Sequence, residues 1–216
     1  MKYLVTLGDS WPAGAELVDK SLAFPELVAN TLGVASVNLS QESTSADQAL
    51  YQLINLTRSD FDWSQTMVLF CLTGITRSMH IDRVPREIHP MSDKPASVAY
   101  YKYIHSDRLD QFNRIKIILA ARQYCRDLGS RILFVDNWDR SPKHIAIDHA
   151  LFYNKTLTEI LNIDQKLDDL KLDWYKVSQH PYIYPNQCHP NVDGHSLIAK
   201  EISVWIKEKL NDKSVS

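Results

Sequence analysis

Four short apolar runs, each too brief for a buried helix and each followed by residues with helical periodicity, constrain this chain most. Tyr3 to Leu7 ends at Gly8, and Ala35 to Leu39, Thr66 to Leu72 and Arg131 to Asp136 follow. Their length, with β-branched and aromatic residues among them, favours buried strands. Between the first two runs, Leu22, Phe24, Leu27, Val28 and Leu32 recur at helical spacing, with Gly33 as a stop. Residues 44–57, 107–128, 154–171 and 197–210 repeat that period, and residues 173–178 read as a fifth strand. Strands alternating with helices predict a parallel sheet with crossover helices. Right-handed crossovers make it a doubly wound, flavodoxin-like α/β sheet of about five strands with helices on both faces. A single domain over residues 1–216 is expected, with an insertion at about 78–106. The insertion holds Pro85, Pro90, Pro95 and the cluster Tyr100-Tyr101-Lys102-Tyr103, and suits a lid or a partner surface.

Composition narrows the function classes. At 216 residues and 44% hydrophobic, the chain can bury a sizeable core without metals or disulfides as staples. Cys71, Cys125 and Cys188 are odd in number and widely spaced, which argues against a disulfide framework and for a reducing compartment. The opening residues lack the length and cleavage site of a leader, and no apolar stretch approaches a membrane span, so a cytoplasmic location is expected. The net charge of −2 hides an uneven spread. Residues 1–76 carry three basic and eight acidic side chains, and residues 77–143 carry thirteen and eight. The basic middle is read as solvated helix surface. No phosphate-cradling or dinucleotide loop and no zinc finger occurs, so nucleotide and nucleic-acid readings lack support. Cys188, His180 and His195 near His189 match no usual zinc spacing, and neither a metal nor a cofactor is expected.

The chemistry concentrates at two places. Ser10 lies two residues after Gly8, where the first strand ends, and His189 lies in a loop before the last helix. A serine hydroxyl is a weak nucleophile unless a neighbouring base takes its proton. In a doubly wound sheet both segments open at the carboxyl edge of the strands, where ligands bind. Serine also favours helix N-cap positions, which is the plain structural alternative for Ser10.

The stretch LVTLGDSWPAG resembles the first sequence block of the SGNH (GDSL) hydrolases, and CHPNVDGHSLIAKEI resembles the last. VNLSQESTSADQAL and MVLFCLTGITR occupy the places of the second and third blocks. The resemblance implies that Ser10 is the nucleophile and His189 the base. Asn186 stands where the family has the aspartate three residues before the histidine. An asparagine can orient an imidazole but cannot stabilise the imidazolium by charge, so a Ser-His dyad or another carboxylate, such as Asp193, is implied. The resemblance also implies an oxyanion hole from the N–H groups of Ser10 and Ser43 and a donor at Thr76, or at Thr73 just before it. Ser43 and Thr76 replace a glycine and an asparagine of the family. Asp9 is expected to shape the turn, Asn38 to bond backbone, and His195 to pack beneath the site.

Trp11, with Trp138, Tyr182 and Tyr184, is expected near the mouth, where an aromatic ring can stack on a sugar. Arg77 is expected to offer a charge to substrate. The function implied is an esterase-type hydrolase acting on a small acyl ester, O-acetyl groups of a carbohydrate being one such substrate class. Two alternatives stand beside it: a binding or assembly protein whose catalytic site has decayed, and an acyltransferase in which an alcohol replaces water.

Overall fold

The computed structural model describes residues 1–56, 62–81, 85–88, 93–138, 140–163, 177–185 and 188–211. In chain order the elements are β1 (Tyr3–Leu7), α1 (Phe24–Leu32), β2 (Ala35–Asn38), α2 (Ala46–Leu56), β3 (Thr66–Leu72), β4 (Ser78–Ile81), β5 (Pro85–Ile88), α3 (Pro95–Tyr103), α4 (Asp107–Asp127), β6 (Arg131–Asp136), α5 (Leu157–Ile160) and α6 (Val192–Asn211). Strands β2, β1, β3 and β6, in that spatial order, form one sheet. All three of its pairings are parallel.

Side chains alternate along each strand and feed two cores. Leu4, Met67, Leu69, Cys71, Leu133 and Val135 face one side, with Phe24 and Val28 of α1 and Ile198, Ile202 and Ile206 of α6. Val5, Val68, Phe70, Leu72, Ile132 and Phe134 face the other, with Ala49 and Leu53 of α2 and Ile117, Ile118 and Ala121 of α4. A sheet covered on both faces demands apolar residues at every position. All seven residues of β3 are accordingly buried.

The parallel sheet has four strands among the described residues, where five were expected. Residues 173–176 lie outside them, and Val177 and Ser178 belong to a helical turn. The helix expected over 154–171 is described only as α5, with residues 164–171 outside the described part. The last helix begins five residues earlier than expected, because the Asn191 side-chain oxygen accepts the Gly194 N–H at 3.0 Å and caps it. Strands β4 and β5 form a separate antiparallel pair, Ser78 opposite Ile88 and Ile81 opposite Pro85. In α4, Asp110 and Arg114 are buried while Phe112 is 61% exposed. Arg114 donates to the Thr73 carbonyl and lies 3.9 Å from Asp136, so polar links to the sheet turn this helix.

Candidate functional site

The strand order reverses between β1 and β3, since the chain goes first to one side of β1 and then to the other. Ligands of such sheets bind beyond the carboxyl ends of the strands at this switch point. Ser10 follows β1, Thr76 follows β3, and Ser43 follows β2 in that same layer.

The exit of β1 is built for close approach. A Cβ on Gly8 would lie 2.6 Å from Pro12 Cγ and 2.8 Å from Cys71 Cβ, so only glycine lets the chain turn here. Asp9 then closes the turn: its Oδ1 accepts the Trp11 N–H at 3.2 Å and the Asn137 Nδ2–H at 2.8 Å. Arg77 Nη1 stands 3.5 Å from Asp9 Oδ2. Burial pushes the Asp9 carboxyl above its ordinary range, against the opposing pull of Arg77, the Trp11 N–H and Asn137. Asp9 is therefore a turn-former, as expected. Ser10, 8% exposed, sits at the top of this turn, and its carbonyl accepts the Ala15 N–H at 2.9 Å.

His189 reaches the same place from the far end of the chain. Its carbonyl accepts the Tyr184 N–H at 3.0 Å, and Asn191 N–H donates to the Tyr182 carbonyl at 2.9 Å. A Cβ on Gly194 would meet the Tyr182 carbonyl at 2.4 Å, so the start of α6 presses directly on this return. The bond that joins the two ends comes from Trp11. Its indole Nε1–H donates to the Cys188 carbonyl at 3.0 Å, tying the residue after Ser10 to the residue before His189. No hydrogen bond joins the Ser10 hydroxyl to His189 among the described residues. His189 Nδ1 is instead in close ion-pair contact with Glu16 Oε2, and Nε2 faces Cys188 Sγ at 4.0 Å.

Of the expected oxyanion donors, Ser43 has φ 61°, the left-handed conformation that glycine adopts freely. The Gln41 N–H donates to the Gly8 carbonyl at 3.1 Å and holds this loop against the β1 exit. Thr76 lies in the turn after β3, its carbonyl accepting the Tyr101 hydroxyl of α3. Thr73 is fully buried. Asn186 lies outside the described residues.

Two expectations change. Trp11 is fully buried, not at the mouth: it packs edge-on against Trp138 at 4.7 Å and spends its N–H on Cys188. A ring sealed in the core cannot stack on a sugar. Arg77 is turned to Asp9, so part of its charge serves a buried carboxylate. Asn38 bonds backbone as expected, donating to the Pro12 carbonyl at 2.8 Å. His195 is fully buried and stacks on Phe24, and its Nδ1 accepts the Phe24 N–H at 3.2 Å. Burial pushes its pKa down to about 3. Two participants were not foreseen, Glu16 and Asn137. The carboxyl-edge rule would have flagged Asn137, directly after β6; no spacing signal points to Glu16.

Beside the site, along the edge strand β2 and α2, runs a groove of about 410 Å³. The side chains of Asn38, Gln41, Gln48, Tyr51, Gln52 and Asn55 line it, and no charged residue does so among the described residues.

Comparison by sequence finds no matching family model and no matching curated protein. Comparison of the structure does find matches. TesA superposes with a TM-score of 0.56 at 14% identity, over 96% of this chain and 99% of that one. The psychrotrophic esterase EstA from Pseudoalteromonas sp. gives 0.54 at 15% identity, over 98% and 100%. A two-domain esterase active on acetylated mannans gives 0.53 at 12% identity, covering all of this chain and 51% of that one. A G-D-S-L family protein from Desulfitobacterium hafniense gives 0.52 at 12% identity. The chain has the SGNH (GDSL) hydrolase fold. In this SGNH fold the exit of the first strand and the loop before the last helix meet over the sheet, as the sequence blocks implied. No helix among the described residues is long and apolar enough to cross a membrane.

Proposed function

We propose that this chain is a serine esterase with Ser10 as nucleophile and His189 as general base. The observation that carries the reading is the Trp11–Cys188 hydrogen bond, which brings the two segments together at the switch point of the sheet. Nε2 of His189 takes the Ser10 proton as Oγ attacks the ester carbonyl carbon. The developing oxyanion is held by the N–H groups of Ser10 and Ser43 and by Thr76. Collapse expels the alcohol, which leaves with the proton from His189. Water, deprotonated by the same imidazole, then releases the acid. Hydrogen-bond geometry in unliganded sites is often long and tightens with substrate.

The substrate class we infer is an acetylated neutral carbohydrate. The amide-lined groove supports it: carboxamides both donate to and accept from hydroxyls, a tyrosine offers an apolar face, and an uncharged lining favours an uncharged ligand. One of the structural neighbours acts on acetylated mannans.

The test is covalent labelling by a fluorophosphonate together with hydrolysis of a chromogenic acetyl ester. Label on Ser10, and loss of both signals in Ser10→Ala, are expected. A folded protein that neither labels nor hydrolyses would make this a binding protein instead.

A further inference from the structure

We propose that Glu16 replaces the family's aspartate as the positioning residue for His189; the inference rests on the esterase reading above. Asn186, in the aspartate's place, supplies no charge. Glu16 does, from the other end of the chain. Its Oε2 contacts Nδ1, the ring nitrogen remote from the one that must receive the serine proton. A carboxylate there holds the proton on Nδ1 and leaves Nε2 free as the base, and it stabilises the imidazolium once formed.

The backbone places Glu16 with some rigour. Residues 9–17 are a run of consecutive turns: Ala13 N–H donates to the Asp9 carbonyl, Gly14 N–H to Trp11, Ala15 N–H to Ser10 and Leu17 N–H to Gly14, all within 3.1 Å. Leu17, 4% exposed, anchors the run on one side of Glu16 and buried Ala15 on the other. Glu16 itself has φ 64°, a left-handed conformation uncommon for a residue with a side chain. Such backbone persists where the surroundings over-determine it, and it gathers at functional sites. The nucleophile and the carboxylate are thus six residues apart on one rigid loop, and only the imidazole arrives from elsewhere. The charged and titratable groups around the imidazole are Glu16, Cys188, Asp9 with its partner Arg77, and His195 beneath.

Two measurements test this. In nitrogen NMR of the wild type, His189 should show the Nδ1–H tautomer, and Glu16→Gln should shift the balance towards the Nε2–H tautomer, because the carboxylate that holds the Nδ1 proton is gone. A tautomer balance unchanged by the substitution would overturn the proposal, whether or not the protein hydrolyses esters. In kinetics, Glu16→Gln should cut kcat by about 100-fold or more with KM within about threefold, as the loss of a triad carboxylate does. Glu16→Asp should restore part of kcat. Full activity in Glu16→Gln, with Ser10 still labelled by a fluorophosphonate, would discard Glu16 and leave the esterase reading standing. Absence of labelling in the wild type would instead defeat the esterase reading.

Discussion

The indole N–H of Trp11 donates to the carbonyl of Cys188 across 177 positions of sequence, and this one bond spans the two halves of the candidate site. Trp11→Phe keeps most of the buried ring and removes the donor, leaving a partly buried carbonyl unpaired. A loss of about 1–3 kcal/mol is expected, lowering Tm by several degrees in a domain of this size. Ester hydrolysis should fall further than stability alone explains, because the His189 loop loses its tie to the nucleophile. Thermal melts beside steady-state kinetics at a temperature where both proteins are folded would check it.

At Gly8 even one methyl group is too much. Pro12, Cys71 Cβ and the Cys71 carbonyl all lie within 3.1 Å of where it would sit, two of them set by β3 and the third by the turn that carries Ser10. Gly8→Ala should destabilise by about 1–3 kcal/mol or more through overpacking, read as a lower urea midpoint at unchanged slope. A variant as stable as wild type would mean that the turn has slack.

The buried imidazole of His195 sets a pH dependence. Its folded pKa of about 3 lies well below the ordinary 6.5, because burial disfavours the charged ring. Between those values the unfolded chain binds the proton and the folded chain does not. The stabilising contribution is therefore complete above pH 6.5 and is lost as pH falls towards 3, by at most about 1.4 kcal/mol per pH unit. His195→Asn, which keeps an acceptor for the Phe24 N–H, should flatten this dependence. Denaturant titrations of both proteins at several pH values between 4 and 7 would show the difference narrowing with acid.

The amide-lined groove yields a split between substrates. Tyr51→Ala or Gln52→Ala should raise KM for an acetylated neutral oligosaccharide about tenfold, the worth of one or two ligand hydrogen bonds near 1.4 kcal/mol. A small chromogenic acetate does not reach the groove, and its turnover should not change. Equal effects on both substrates would remove the carbohydrate reading while leaving the esterase chemistry intact.

What the sequence discloses depends on how locally each feature is encoded. Strands β3 and β6 are legible because burial on both faces demands an unbroken apolar run, which few other structures need. The β4–β5 pair escapes notice because SMHI and PREI carry charge and a proline, and nothing local distinguishes them from loop. Helix α4 is legible as a helix but not in its facing: Phe112 is exposed and Arg114 buried because polar links to Thr73 and Asp136, far away in sequence, orient it. Ser10 and His189 are found because each sits in a recognisable block. Trp11 is placed at the mouth in error, because no local signal reveals that the residue after the serine turns inward. Glu16 is invisible for the same reason: its partner lies 173 positions away, and the turns that aim it contain no repeated pattern.

The chain order of these parts has one more consequence. Serine and carboxylate share one run of turns after β1, whereas the imidazole is carried beside α6, which packs on α1. Hydroxyl and imidazole therefore face each other only while α6 is docked on α1, so loosening that helix pair would part them without altering either side chain.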